Sequence, residues 1–167
     1  MPVYKIYTYP ESILKHKAKP VHDINDEIQK LVDGMYETMH FASGVGLAAT
    51  QVGNENAVFV VDVPAENEQR YMFTVINPVL VESSGESSRE EGCLSLPGFR
   101  VDVKRAERIV IKGFDRNGKD LVIEAQGLLA VAIQHEMDHL NGITLIDKAS
   151  LLKREAYIKS LKKGSRE

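Results

Sequence analysis

Residues 127–142, GLLAVAIQHEMDHLNG, decide how the rest of the chain is read. The first two turns are apolar on nearly every face, and Asn141-Gly142 supplies a stop, since Gly suits the left-handed position after a helix. The stretch predicts a helix lying inside the protein. Gln134, His135, Glu136, Asp138 and His139 are out of place there, because an unpaired polar group costs roughly 2–7 kcal/mol to bury. Something must pair them. At about 100° per residue, His139 lies about 40° round the helix from His135 and one turn further on, so both imidazoles can face one point. That point can be a metal. Glu136 falls about 60° to the side of His139, where it can reach a water without becoming a ligand, as in the H-E-x-x-H pattern. A buried polar network without metal is the alternative, and a third ligand decides between the two.

Cys93 is the single cysteine of the chain, in the run EGCLSLPG among small and turn-forming residues. Alone it would be read as a small core residue. Beside the two histidines it completes a set of three protein ligands, the open arrangement of a catalytic site rather than the four of a structural one. His16, His22 and His40 lie in polar contexts and are read as surface residues. Asp138 faces the histidine side of its helix and can orient a group such as Arg105 behind the ligands.

Working outward, Ile28, Leu31, Val32, Met35 and Met39 recur at helical spacing behind an Asn/Asp start, which predicts an amphipathic helix over 25–41. AVFVVDV (57–63) and YMFTVINPVLV (71–81) are strand candidates that should pair. ESSGESSREE (82–91) reads as a surface loop. RIVIKGFD and KDLVIEA flank Arg116-Asn117-Gly118 and predict a hairpin over 107–125, with Asn-Gly taking positive φ. Residues 149–163 form a last, partly basic helix. Strands gathered before a buried helix, without βαβ alternation, indicate an α+β fold: mixed or antiparallel strands packed around a central HExxH helix, with N-terminal and C-terminal helices.

Gly44-Val45-Gly46-Leu47-Ala48-Ala49 superficially fits a dinucleotide fingerprint. A helix precedes it where a strand is required, and too few residues separate it from the next strand. The segment is either a plain turn or a backbone that must approach something closely, with Gln51 at its end offering an amide.

At 167 residues the chain is expected to be one catalytic domain, 1–167, with 149–167 a basic helix and tail. Its 43% hydrophobic and 27% charged residues are ordinary for a globular protein, and a formal charge of −3 gives no nucleic-acid footprint. A lone cysteine fits a reducing compartment, and no stretch reaches the ~18 apolar residues of a membrane span. The expectation is a cytoplasmic protein with no membrane and no specific DNA partner.

Three segments in order, GVGLAATQ (44–51), EGCLS (91–95) and QHEMDHLNG (134–142), resemble the peptide deformylases over nearly the whole chain. The resemblance implies removal of the N-formyl group from the formyl-methionine of newly made polypeptides. It implies one divalent metal held by Cys93, His135 and His139, with Fe²⁺ foremost and Zn²⁺, Ni²⁺ or Co²⁺ compatible. Glu136 would be the general acid/base, and Gln51 and the Leu94 N–H the oxyanion donors. Val45, Gly46 and Val131 would border the methionine pocket, with the peptide backbone along Gly44 to Gly46 and Glu91, and Arg100 at its far end. The C-terminal helix would offer transient ribosome contact. Gln126 stands where the family usually has an acid, which touches only the helix start. The nearest rival is an HExxH endopeptidase, whose third ligand usually lies downstream of the helix; a metal-stabilised binding module is the non-catalytic rival.

Overall fold

The computed structural model describes residues 3–164. Helix α1, Asp26–Phe41, starts where Asn25 Oδ1 accepts the Ile28 N–H at 3.1 Å, the side-chain cap that satisfies one of the free amides of a helix start. Seven strands follow: β1 Gly46–Ala48, β2 Val58–Pro64, β3 Arg70–Ser84, β4 Ser87–Cys93, β5 Leu96–Arg105, β6 Arg108–Phe114 and β7 Asp120–Gln126. Helices α2 Gly127–Leu140, α3 Leu145–Lys148 and α4 Leu151–Gly164 complete the described chain. Strands β1-β2-β3-β6-β7 form one antiparallel sheet in that order, and β4-β5 form a separate hairpin. The expected α+β architecture is therefore the one found.

Strand β2, apolar at every position except Asp62, shows how a run covered on both faces reads in sequence. Phe59, Val61 and Val63 pack with Leu129, Ala130 and Ile133 of α2 on one face of the sheet. Val58 and Val60 pack on the other face with Ile28, Leu31, Val32, Met35 and Met39 of α1. With both faces covered, period-2 alternation of polarity disappears. A third core lies between β5, through Leu96, Phe99, Val101 and Val103, and Leu145, Ile146 and Tyr157 of the C-terminal helices.

The structure corrects the sequence reading in three places. Residues 82–91 are not a loop: β3 continues to Ser84, β4 begins at Ser87, and Ser87 to Glu91 pair with Arg105 to Val101. Their polarity hides the strand because Glu91 is buried against Arg105, not against apolar neighbours. The 107–125 hairpin exists, but only Gly118 takes a positive φ, 81°, and Asp115 organises the turn by accepting from Asn117 N and Lys119 N at 2.8 and 3.0 Å. That is a longer Asx-built connection rather than a two-residue Asn-Gly turn. Finally, the expected last helix is present but starts at Leu151 rather than at 149 and is preceded by the short α3, and α4 buries only Tyr157 among its described residues; residues 165–167 of the expected tail lie outside the described ones. No helix among the described residues is long and apolar enough to cross a membrane.

Candidate active site

Helix α2 runs beneath the sheet with Leu129, Ala130, Ala132, Ile133 and Leu140 in the core, which carries His135, Glu136 and His139 into the interior on the same rigid element. His139 is 1% exposed and Glu136 4%, so the burial predicted for this helix extends to both. The N-cap Gln126 makes no side-chain cap bond; its side chain does not serve the helix start. Cys93 comes from the end of β4, at the irregularity where Cys93 pairs with Leu96. The ligand-capable atoms of Cys93, His135 and His139 all lie within 4.8 Å of one another. His139 Nε2 is 3.3 Å from Cys93 Sγ and 3.2 Å from His135 Nε2. Three atoms that each carry a lone pair converge, and only a shared proton or a cation between them makes that favourable. A soft thiolate with two imidazoles is a donor set suited to a divalent transition metal, so the residues fit one.

Among the described residues, two buried side-chain polar atoms have no hydrogen-bond partner, His139 Nδ1 and Glu136 Oε1. Burial raises the Glu136 carboxyl to about 7, against the pull of His135 and Arg105. Burial likewise holds His139 well below the ordinary histidine range, reinforced by the charges of His135 and Arg105; the neutral imidazole is the form that ligates. A β-carbon placed on Gly46 would lie 2.4 Å from Glu136 Oε2, and one on Gly44 2.8 Å from Leu94 Cδ1. The two glycines thus explain the Gly-rich run: the backbone approaches the Glu136 carboxylate and the Leu94 side chain closely, and no larger residue fits at 46 without displacing the glutamate.

Behind the Cys93, His135 and His139 cluster stands a buried charge network. Glu91 Oε1 is 3.1 Å from His135 Nδ1. Arg105 grips the same carboxylate with Nε and Nη2 at 2.7 and 2.9 Å, and its Nη1 donates to Asp138 Oδ2 at 2.9 Å. The pairing of Asp138 with Arg105 is as read from the sequence. Arg105 reaches the interior by register: β5 alternates Phe99, Val101, Val103 and Arg105 inward. Burial pushes the Glu91 carboxyl up, but hydrogen bonds from His135 and Arg105 outweigh it and bring it below its usual value. The Glu91 side chain therefore serves His135.

Gln51, 1% exposed, accepts from Ala48 N through Oε1 at 2.9 Å and donates through Nε2 to Ser95 Oγ at 3.0 Å, 3.7 Å from Cys93 Sγ. Its amide donor is fixed beside the thiol. A cleft of about 520 Å³ opens over the cluster and is lined by Gly44, Val45, Gly46, Gln51, Glu91, Cys93, Leu94, Arg100, Val131, His135 and Glu136. His139 lies deeper. Leu128, Phe99, Ser95 and Arg89 were missed by sequence reasoning. Leu128 stands one turn before Val131 and Ala132, so helical spacing could have found it; Ser95 is a buried hydroxyl inside the EGCLS run itself. His16, His22 and His40 are exposed as expected, though His40 Nε2 is bonded to Asp62 Oδ2 at 2.7 Å.

An antiparallel α+β frame that buries an H-E-x-x-H helix against an upstream thiol is the arrangement of a hydrolase of the metal-dependent amide-cleaving class. Comparison with known proteins makes the class specific. The polypeptide deformylase family model matches residues 3–155. The peptide deformylase of Thermodesulfovibrio yellowstonii is 52% identical over 162 residues, covering 97% of this chain and 98% of its own. The crystal structure of peptide deformylase from Ehrlichia chaffeensis superposes with a TM-score of 0.94 at 39% identity, covering 99% of this chain and 98% of that one. The same protein has been solved in complex with actinonin, again with a TM-score of 0.94. The chain belongs to the polypeptide deformylase family, hydrolases that remove the N-formyl group from formyl-methionine peptides.

Proposed function

We propose that residues 1–167 act as one catalytic domain that hydrolyses the N-formyl group of nascent formyl-methionyl peptides, with Cys93, His135 and His139 holding one divalent metal. The observation that carries this reading is the convergence of those three side chains within 4.8 Å beneath a cleft that also receives Glu136. Likeness to the family puts Fe²⁺ first, and Zn²⁺, Ni²⁺ and Co²⁺ are compatible with the same donors. When bound, the ion supplies Lewis acidity at the formyl carbonyl.

Glu136, with its carboxyl near neutrality, is matched to both halves of the proton transfer. It takes a proton from the attacking water and returns it to the amine nitrogen as the C–N bond breaks, leaving formate and a free methionine amino group. Gln51 Nε2 and the Leu94 N–H donate to the developing oxyanion, a contribution worth about 10²–10³ in rate per donor in comparable sites. The methionine side chain enters beside Val45, Gly46 and Val131. Strand β1 is at the edge of its sheet and β4 at the edge of its hairpin, so an extended peptide can take main-chain hydrogen bonds along Gly44 to Gly46 and Glu91. Arg100 meets its far end. The exposed basic surface of α4, with Lys153 and Lys159 beside exposed Leu151 and Leu152, is the face for transient ribosome contact, in a cytoplasmic setting.

The test is to incubate the metal-loaded protein with a formyl-methionyl tripeptide and with its unformylated counterpart. Formate release from the first, with the second left intact, is expected. Internal cleavage of either peptide without formate would make the chain an HExxH endopeptidase instead, and metal binding with no turnover would make it a binding module.

A further inference from the structure

Arg89 is the cation of the cleft that the proposed chemistry leaves without a role. It shares a face of β4 with Glu91, two residues on, and lines the same cleft as Leu128, Arg100 and Glu136. The other charges there are accounted for. Arg100 Nε donates to Glu90 Oε1 at 2.8 Å, the Glu91 carboxylate is held by Arg105 and His135, and Glu136 is buried at the floor. Among the described residues Arg89 has neither an ion-pair partner nor a side-chain hydrogen bond, and it is exposed. Its Nη2 lies 3.9 Å from the position of a β-carbon on Gly127, the first residue of α2, where the positive end of a helix disfavours a cation. The guanidinium thus lies at the cleft without a carboxylate partner of its own among the described residues.

We infer that Arg89 is a specificity-determining residue that favours nascent peptides with an acidic side chain shortly after the formyl-methionine. The inference rests on the deformylase reading above. A strand advances about 3.3 Å per residue, so Arg89, four residues from Cys93, stands about 13 Å along β4 from the metal-ligand cluster. An extended peptide whose formyl group lies at that cluster brings its second to fourth residues within the further reach of an arginine side chain. A planar guanidinium pairs with a carboxylate through two hydrogen bonds, and at a water-exposed rim such a pair yields a preference of about 2- to 5-fold.

The experiment measures kcat/KM for formyl-Met-Ala-Ala-Ala and for the three peptides with Asp at position two, three or four. Formate release from the all-alanine peptide tests the deformylase reading itself; the ratio of acidic to neutral peptide tests the role of Arg89. At least one Asp peptide is expected to exceed the neutral one by about 2- to 5-fold at low salt, through KM, with the advantage shrinking at 0.5 M NaCl as screening requires. The ratio should fall to about 1 in Arg89→Ala, invert in Arg89→Glu and survive in Arg89→Lys. Efficient deformylation with no acidic preference at any position, or a preference that persists in Arg89→Ala, overturns the inference while leaving the function intact.

Discussion

Replacing Arg105 with Met removes a guanidinium that is 5% exposed and keeps a side chain of comparable length. The change strips Glu91, 7% exposed, of two charge-assisted bonds and Asp138 of one. Breaking a buried pair by deleting one partner costs about 3–5 kcal/mol, because the other charge stays behind uncompensated. Asp138 is 24% exposed and keeps Lys148 at 3.9 Å, so most of the cost falls on Glu91. For a chain of this size about 1 kcal/mol moves Tm by about 2–4 °C, which puts the melting temperature of Arg105→Met about 6–20 °C below that of the unsubstituted protein. Urea unfolding of the metal-loaded proteins gives the free energy directly. Because Glu91 also holds His135, metal affinity read by chelator competition should fall about 10- to 100-fold. Arg105→Lys keeps the charge without the fork and should lie between. Adding Glu91→Leu to Arg105→Met removes the stranded carboxylate and should restore part of the loss. A loss below about 1 kcal/mol for Arg105→Met, or a double variant less stable than the sum of the two singles, would refute the account of a paired buried network.

Glu136→Gln should retain one metal per chain and lose about 10²–10⁴-fold in kcat, the usual weight of a general acid/base; metal analysis beside the formate assay checks both halves. Gly46→Ala forces the new methyl against Glu136 Oε2, 2.4 Å away, and a glutamate displaced by about 1 Å should cost about 10²-fold in kcat with the melting curve little changed. Asp62 contributes stability that is lost in acid. Burial pushes its carboxyl up, yet hydrogen bonds from Arg70 and His40 hold it below its ordinary 3.8. A folded-state value below the unfolded one stabilises fully above the unfolded value, and the contribution fades as pH falls through the folded one. The stability gap between the unsubstituted protein and Asp62→Asn should therefore close as pH falls below about 4; a gap that widens over that range would contradict it.

Residues 127–142 determined a great deal unaided. A helix that apolar had to be buried, and the spacing of His135, Glu136 and His139 put them on adjacent faces whatever surrounds the helix; the first follows from composition and the second from a 3.6-residue repeat, and neither needs tertiary information. The stripe of α1 was legible from the same repeat, and the pairing of β2 with β3 from two β-rich runs close in sequence. Strand β4 was not, because its buried position carries Glu91, whose burial is favourable only once β5 delivers Arg105 and α2 delivers His135 to meet it. The glycines of 44–46 likewise signalled a close approach without saying to what, and the approach turned out to be to Glu136 and Leu94, which lie far along the chain. Arg89 looked like one more charge in a polar run until the fold set it on the cleft face of β4. Periodicity is a property of neighbours in sequence and is fixed by the backbone; the pairing of a buried charge depends on which distant groups the packed elements bring within about 3 Å of it, and only the tertiary structure decides that.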